Sequence, residues 1–221
     1  MKQHFLLKNG HRQLLLFFAG WGMDEHPFLQ IHPTNRDWMI CYDYRSLDFD
    51  ESPLNEYTEI TIVAWSMGVW VASQVMKQHP SLLNSQRIAI NGTLYPINEA
   101  KGISPAIFEG TLEGLNEQTL QKFQRRMCAS ATDYKSFQAM SPQRPVEELK
   151  EELATIGTLA SSLPPVLYPW HTAYIGKEDR IFLPHNQREA WNKVALSIKE
   201  VEAAHYQSEL FMELFHHTQV L

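Results

Sequence analysis

The segment at residues 60–68 constrains the fold more than any other part of this 221-residue chain. It reads Ile-Thr-Ile-Val-Ala-Trp-Ser-Met-Gly, so an apolar, β-branched run typical of a buried strand stops at Ser66. Helix-forming residues follow at once, from 69 to 79, and small residues stand two positions either side of the serine, Ala64 and Gly68. The pattern predicts a strand, a sharp turn with the serine at its apex, and a helix.

A strand, a serine turn and a helix in this order form the nucleophile elbow of the α/β-hydrolase fold. The turn is so tight that a large side chain at position 64 or 68 would collide with neighbouring backbone. The turn also directs the Ser66 hydroxyl out of the sheet edge and places the Met67 N–H at a helix N-terminus, where an oxyanion can form. Because A-x-S-x-G strings also arise by chance at surface turns, the partners of Ser66 decide the matter.

The acid and the base of this fold follow the serine along the chain, in that order. Residues 172–184 contain an apolar run, a break at Gly176, and Asp179 in the loop beyond it. Catalytic groups of open α/β sheets gather outside the carboxyl ends of the strands. We therefore predict Asp179 as the acid. Glu178 is the alternative on the same loop, and a structural role for Asp179 would be to cap the helix beginning near residue 184 or to pair with Arg180.

Only four of the ten histidines follow Asp179. His185 is too close to the acid in sequence, and His216 and His217 end a helical pattern, where C-terminal cations or surface residues are expected. His205 follows an alternating strand pattern and precedes a helix that opens near residue 208. We predict that His205 is the general base, held in its orientation and tautomer by Asp179.

A glycine-rich turn supplies the candidate oxyanion hole. The apolar strand at residues 14–18 runs into Ala-Gly-Trp-Gly, and the glycines let the backbone turn so that the Trp21 N–H faces the nucleophile. We predict Trp21 and Met67 as the two oxyanion donors. An ordinary glycine-rich turn is the alternative, and it loses weight because the preceding strand is expected to lie beside the strand of the elbow.

Composition limits the remaining classes of protein. The net charge of −6 disfavours a nucleic-acid partner, and the sequence has no apolar run of about 18 residues, as a membrane span requires. The first residues interrupt their apolar run too early for a signal peptide. Cys41 and Cys128 are far apart and match no metal or disulfide pattern. We expect a cytoplasmic protein with no metal and no cofactor, of undetermined oligomeric state.

Strands alternate with helices along the chain, which predicts a mostly parallel sheet. Asn9-Gly10 between two apolar runs predicts an antiparallel hairpin at one edge. Between residues 92 and 164 the strand pattern vanishes, and 115–127 and 146–159 show helical spacing. We predict an α/β-hydrolase core of residues 1–100 and 165–221, with a small helical cap, residues 101–164, inserted over the active site.

Seven segments that span nearly the whole chain carry a family resemblance: Phe-Phe-Ala-Gly-Trp-Gly-Met-Asp (17–24), Tyr-Asp-Tyr (42–44), Ala-Trp-Ser-Met-Gly-Val-Trp (64–70), Asn-Gly-Thr (91–93), Phe-Gln-Arg-Arg-Met-Cys (123–128), Gly-Lys-Glu-Asp (176–179) and Ala-Ala-His-Tyr (203–206). Together they resemble the small α/β-hydrolases of biotin synthesis that release pimeloyl-acyl carrier protein from its methyl ester, most closely the compact BioG-type esterases. Ser66, Asp179 and His205 align with the triad of this family, and Trp21 and Met67 with its oxyanion donors.

The resemblance implies a serine esterase that forms an acyl-enzyme on Ser66 and takes its substrate from an acyl carrier protein. Such carriers are acidic, so an enzyme of negative net charge needs a local basic patch to bind one. Lys122, Arg125 and Arg126 lie at i, i+3 and i+4 of a predicted cap helix and are candidates for carrier binding. The alternative is a solvated basic face.

Three other functions compete with this interpretation. A lyase of the menaquinone-pathway type would use the same triad to abstract a proton, a general short-chain carboxylesterase would ignore the carrier, and a non-catalytic module would keep the fold alone. An intact triad disfavours the last. The pocket separates the carrier-linked esterase from the lyase. An ester hydrolase needs an acyl channel, whereas a lyase of this type needs several cations around a small polyanion.

Overall fold

The computed structural model describes residues 1–217 and has a seven-stranded sheet at its centre. The strands β1 to β7 are Lys2–Leu7, Gln13–Phe18, Asp37–Tyr42, Glu59–Trp65, Gln86–Ile90, Trp170–Gly176 and Ala195–Val201. Their order across the sheet is β1-β3-β2-β4-β5-β6-β7, in which β1 is antiparallel to β3 and all other neighbours are parallel. The predicted α/β-hydrolase fold is confirmed.

The helices alternate with the strands except in one long insertion. The α-helices of the described residues, α1 to α7, are Met67–Gln78, Pro105–Glu113, Glu117–Met127, Ala131–Ala139, Val146–Ser162, Pro184–Trp191 and Ser208–His217. Four of them, α2 to α5, lie between β5 and β6, where the sequence predicted two. The nine-residue helices α2 and α4 each bury a single side chain, Phe108 and Phe137, so they leave almost no apolar periodicity in the sequence.

The predicted hairpin between β1 and β2 is wrong, because β3 lies between these two strands. The turn itself exists, and Gly10 has a φ of +78°. The chain nevertheless passes across the beginning of β3, where the buried Asp37 carboxylate accepts hydrogen bonds from the N–H groups of Asn9, Gly10 and His11 at 2.9, 3.3 and 3.2 Å. These hydrogen bonds tie the turn to β3, which lies between β1 and β2, and a local turn signal cannot reveal them.

Continuous burial marks the centre of the sheet. Nearly every residue of β2, β3, β4 and β5 is buried, which shows that both faces of these strands are covered, whereas β7 is an exposed edge. Within the described range, no helix is both long enough and apolar enough to cross a membrane. His216 lies exposed in the last turn of α7, and the predicted role of the His217 side chain falls outside what the structure describes.

Candidate active site

Ser66 lies in a strained turn between the end of β4 and the beginning of α1. Its φ and ψ are 59° and −129°, a region that non-glycine residues rarely adopt and that often marks functional sites. A Cβ at Gly68 would lie 2.4 Å from the carbonyl oxygens of both Phe18 and Ala19, and one at Gly92 would lie 2.2 Å from the Ser66 carbonyl oxygen. Backbone therefore packs against the elbow from both sides, which explains the small residue at position 68.

The structure brings together the three residues of the predicted triad. The Ser66 Oγ lies 3.0 Å from the His205 Nε2, and the His205 Nδ1 lies 2.9 Å from the Asp179 Oδ2. All three residues are buried. When Nδ1 carries its proton toward the carboxylate, Nε2 is left as an acceptor for the hydroxyl proton of Ser66. The geometry is that of a nucleophile, a general base and an orienting acid.

Asp179 has four hydrogen-bond donors around its carboxylate. Its Oδ1 accepts from the N–H groups of Ile181 and Phe182, at 2.8 and 3.0 Å, and its Oδ2 accepts from the Gln187 side chain at 3.0 Å in addition to His205. The carboxylate therefore organises its own loop and does not cap α6, which begins at residue 184. The neighbouring Glu178 is exposed, and so is Arg180.

Asn91, just beyond the end of β5, clamps the loop that carries His205. Its side-chain N–H₂ donates to the carbonyls of Ala204 and His205, at 2.8 and 3.1 Å, and its Oδ1 accepts from the Gly176 N–H at 2.7 Å. The indole of Trp65 donates to the His205 carbonyl as well, at 2.9 Å. Sequence reasoning missed these supports. Asn91 appeared in the Asn-Gly-Thr segment that carries the family resemblance, but its partners could not be seen in the sequence.

A small cavity of about 40 Å³ opens onto Ser66 and His205. Trp21 and Met67 border it, and the N–H of Met67 has no acceptor inside α1 because this residue begins the helix. Among the described residues, the backbone N–H of Trp21 also donates to no protein group. β2 lies beside β4, as expected, so the turn after β2 reaches the elbow. Both candidate oxyanion donors are thus beside the nucleophile with free N–H groups.

The inserted helices form most of the remaining wall. Phe108 of α2, Phe123 and Met127 of α3, and Leu153 of α5 give the cavity an apolar lining. Arg126 borders the same cavity from α3. The insertion therefore faces Ser66 with side chains suited to an acyl chain.

The three predicted carrier-binding residues share one face of α3. Lys122, Arg125 and Arg126 are exposed and line a surface depression of about 320 Å³, together with Arg180 from the loop of the acid. Within the part of the chain that the structure describes, none of these four cations has an ion-pair partner. The arrangement concentrates positive charge beside the cavity, which Arg126 also borders.

Asp24, Glu25 and His26 form a cluster of the kind that can bind a metal ion, with ligand atoms within 4.8 Å of one another. The two carboxylate oxygens of Asp24 already accept hydrogen bonds from the N–H groups of His26 and Gln143, at 3.0 and 2.7 Å. Asp24 therefore ties the segment after the glycine-rich turn to the chain that leads into α5. The cluster is explained by this tether.

A buried Ser-His-Asp relay on a nucleophile elbow, at the carboxyl ends of parallel strands, defines an α/β-hydrolase. The family model described as pimeloyl-ACP methyl esterase BioG matches residues 1–220, and the chain belongs to this family. It is accordingly a hydrolase, of a family that acts in biotin synthesis.

Known proteins agree with this placement. The crystal structure of BioG from Haemophilus influenzae superposes with a TM-score of 0.88 at 35% identity, covering 99% of this chain and 98% of that one. An esterase from Exiguobacterium antarcticum has a TM-score of 0.70 at 15% identity, over 96% and 92% of the two chains, and shares the fold. A Bacteroides fragilis (strain 638R) protein named malonyl-[acyl-carrier protein] O-methyltransferase is 55% identical over 202 residues, which are 91% of this chain but only 41% of that protein.

Proposed function

We propose that the protein is a serine carboxylesterase that hydrolyses the methyl ester of pimeloyl-acyl carrier protein to pimeloyl-acyl carrier protein and methanol. It would do so in the cytoplasm, without a cofactor. The observation that carries the proposal is the hydrogen-bonded relay from Ser66 through His205 to Asp179, at the base of an apolar cavity, in a chain of the BioG family.

The proposed reaction has two halves. The Ser66 Oγ attacks the ester carbonyl carbon while His205 Nε2 takes its proton, and Asp179 stabilises the imidazolium that results. The N–H groups of Trp21 and Met67 would bind the oxyanion of the tetrahedral intermediate. Collapse breaks the bond to methoxide, which leaves as methanol with the proton from His205. Water, deprotonated by His205, then attacks the acyl-enzyme and releases the carboxylate and the free serine.

The shape of the site supports a long substrate that presents one end to Ser66. The cavity at the serine is only about 40 Å³, whereas a groove of about 360 Å³ beside α2 and α3 continues from it. Ile107, Thr111, Phe123 and Arg126 border both spaces. We propose that the methyl ester enters the small cavity and that the rest of the acyl chain follows the groove, with residues 101–164 acting as the cap.

The lining of the cavity favours the esterase over the lyase. Several cations around the reacting group would be needed to hold a small polyanion, and among the described residues that line the cavity only Arg126 and His205 carry or acquire positive charge. The other walls are mostly apolar. An acyl chain gains free energy from such walls in proportion to the apolar area that it buries.

The names of the family and of the Bacteroides relative support an acyl carrier protein as the partner. The family name describes removal of a methyl ester from pimeloyl-ACP, and the name of the Bacteroides relative describes methyl transfer with malonyl-ACP. Both describe a methyl group on an acyl chain held by the carrier. Since the chain spans 41% of that relative, methyl transfer is a property of a much longer protein. We therefore propose ester cleavage for this chain.

Mass spectrometry of a pimeloyl-carrier methyl ester incubated with the protein tests the proposal. The expected product is lighter by one CH₂, and Ser66→Ala should lower turnover by roughly 10⁴ to 10⁶ while leaving the protein folded. Full activity in Ser66→Ala contradicts the proposed nucleophile. A carrier-bound free acid that gains CH₂ from a methyl donor would instead indicate methyl transfer.

The basic face of α3, formed by Lys122, Arg125 and Arg126, distinguishes the carrier-linked esterase from a general short-chain carboxylesterase. Lys122→Glu with Arg125→Glu should lower kcat/KM for the carrier-linked ester and weaken its salt dependence, since salt screens such steering over about 8–10 Å. Hydrolysis of p-nitrophenyl butyrate should be unchanged, because neither residue borders the cavity at Ser66. Arg12→Glu, just before β2 and at the opposite end of the strands, is the control for charge reversal away from this face, to be compared with Arg125→Glu alone. Equal losses on both esters would point to a structural role for the face.

A further inference from the structure

Helix α5 carries a fully buried carboxylate that the proposed reaction does not use. Glu152 has no exposed surface. Its Oε1 accepts from the Tyr44 N–H at 2.9 Å, and its Oε2 accepts from the Arg144 guanidinium at 2.6 Å and from the Gly22 N–H at 3.4 Å. The last contact reaches the residue that follows Trp21 in the glycine-rich turn.

Residues 144–152, at the beginning of α5, contact three consecutive residues of the glycine-rich turn after β2. The Trp21 indole donates to the Leu149 carbonyl at 2.8 Å, Gly22 donates to Glu152, and the Met23 carbonyl accepts from Arg144 at 3.3 Å. Residues 19–25 belong to no helix or strand, and Gly22 has a φ of +76°. The turn after β2 therefore takes much of its shape from residues 144–152 of the insertion.

Arg144 and Glu152 form a buried pair of opposite charges. Arg144 is nearly buried and lies 3.0 Å from the Asp43 carboxylate as well as 2.6 Å from Glu152. Burial raises the pKa of Glu152, and the charge of Arg144 opposes that rise. The guanidinium of Arg144 therefore offsets part of the free-energy cost of burying the Glu152 carboxylate, and charged partners form the stronger hydrogen bonds.

We propose that Glu152, together with Arg144, is a positioning residue that orients the backbone N–H of Trp21 toward the developing oxyanion. The inference rests on the proposed function, because it requires Trp21 to be an oxyanion donor. Such donors act by being held in place before the charge develops, and a displacement of about 1 Å can cost roughly 100-fold in rate. The insertion would then contribute to the rate of the chemical step as well as to substrate choice.

Glu152→Gln is the central variant of the test, because it keeps the size of the side chain and one acceptor oxygen but removes the charge. With p-nitrophenyl butyrate, kcat per active site, counted by covalent phosphonate titration, should fall about 10- to 100-fold while KM changes less than about twofold. That split is the signature of an interaction made in the transition state. A merely structural role would reduce the number of titrated sites and leave kcat per site unchanged.

Two variants of the same helix are the controls. Glu148→Gln also removes a carboxylate near Arg144, 3.7 Å from its Nε, but makes no contact with the turn, and it should keep kcat within about twofold. Ile156→Val destabilises the buried side of α5 without altering the anchor. A similar fall in kcat per site for Ile156→Val would overturn the proposal by showing that any loosening of α5 suffices.

A second route covers the case in which Glu152→Gln does not fold. Arg144→Lys keeps the charge but loses the planar guanidinium, whose Nη1 contacts both Glu152 and Met23 while its Nη2 lies near Asp43. A single ammonium cannot replace both nitrogens, so this variant should show the same fall in kcat at constant KM. Wild-type kcat per site in a folded Glu152→Gln or Arg144→Lys protein overturns the inference. Failure of the proposed function is recognised separately, because Ser66→Ala would then retain activity.

Discussion

Replacing Asn91 should weaken the fold and the active site together. In Asn91→Ala, the Gly176 N–H and the Ala204 carbonyl lose the partner that Asn91 provides, whereas the His205 carbonyl keeps its bond from Trp65. Each buried group left unpaired costs about 1–3 kcal/mol. Two such groups give a loss of about 2–6 kcal/mol in the free energy of unfolding, out of the roughly 5–15 kcal/mol typical of a domain.

Backbone conformation adds a second, separable contribution. Asn91 has a φ of 45°, in the left-handed region that costs alanine about 1–2 kcal/mol. Asn91→Gly removes the same hydrogen bonds without that strain, although glycine gives up roughly 0.5–1 kcal/mol through its freer unfolded chain. The glycine variant should therefore be the milder of the two by up to about 1.5 kcal/mol.

Urea unfolding followed by tryptophan fluorescence measures the stability, and ester hydrolysis per titrated active site measures the positioning of His205. We expect both to fall, with kcat per site lower by about 10-fold or more because the loop of the general base loses its clamp. A change in the free energy of unfolding smaller than 0.5 kcal/mol, taken as the size of an ordinary surface substitution, would refute the hydrogen-bond reasoning. A normal kcat per site in a destabilised variant would show that Asn91 supports the fold only.

Three further predictions concern the acid, the elbow and the response to pH. Asp179→Asn should cost on the order of 10⁴ in kcat while the exposed Glu178→Gln has little effect, and the reverse result in the same kinetic assay would assign the acid to the neighbouring residue. In urea unfolding, Gly68→Ala should lower the free energy of unfolding by about 3 kcal/mol, because its Cβ would meet two backbone oxygens. Gly110→Ala has open space around the new Cβ and should raise the free energy of unfolding by about 0.5–1 kcal/mol. Burial raises the pKa of Asp43, but the neighbouring arginines outweigh it and hold that pKa below the usual range. Its contribution to stability is therefore present above about pH 4 and is lost as the pH falls toward the lower folded-state pKa, so the stability difference between wild type and Asp43→Asn should narrow in acid unfolding experiments.

The sequence predicted those parts of the site whose signals are local. Ser66, Asp179 and His205 each follow an apolar run, and parallel strands bring their carboxyl ends to one edge of the sheet. The order of serine, acid and histidine then selected among ten histidines. Each of the three positions could be found because strand pattern and chain order are both legible without knowing any long-range contact.

The missed features all depend on side chains that meet across the chain. Asp37 accepts hydrogen bonds from the turn after β1, 26 to 28 residues earlier in the chain, and Asn91 binds residues 85 to 114 positions further on. Gln187, which donates to Asp179, lies in a helix with no distinguishing pattern around it. Polar side chains of this kind look like ordinary surface or turn residues until the fold buries them.

Three turns or loops around the site are each held by groups from a distant segment of the chain. The elbow is packed between the backbone of residues 18–19 and Gly92, the loop of His205 is held by Asn91, and the glycine-rich turn after β2 is bonded to residues 144–152 of the insertion. The first two anchors belong to the sheet, which every α/β-hydrolase has, but the third belongs to the part of the fold that varies between families. If Trp21 is an oxyanion donor as we propose, the insertion at residues 101–164 contributes to the chemical step and is more than a separate determinant of substrate choice. Exchange of residues 144–152 should therefore change the rate of the chemical step as well as the choice of acyl chain.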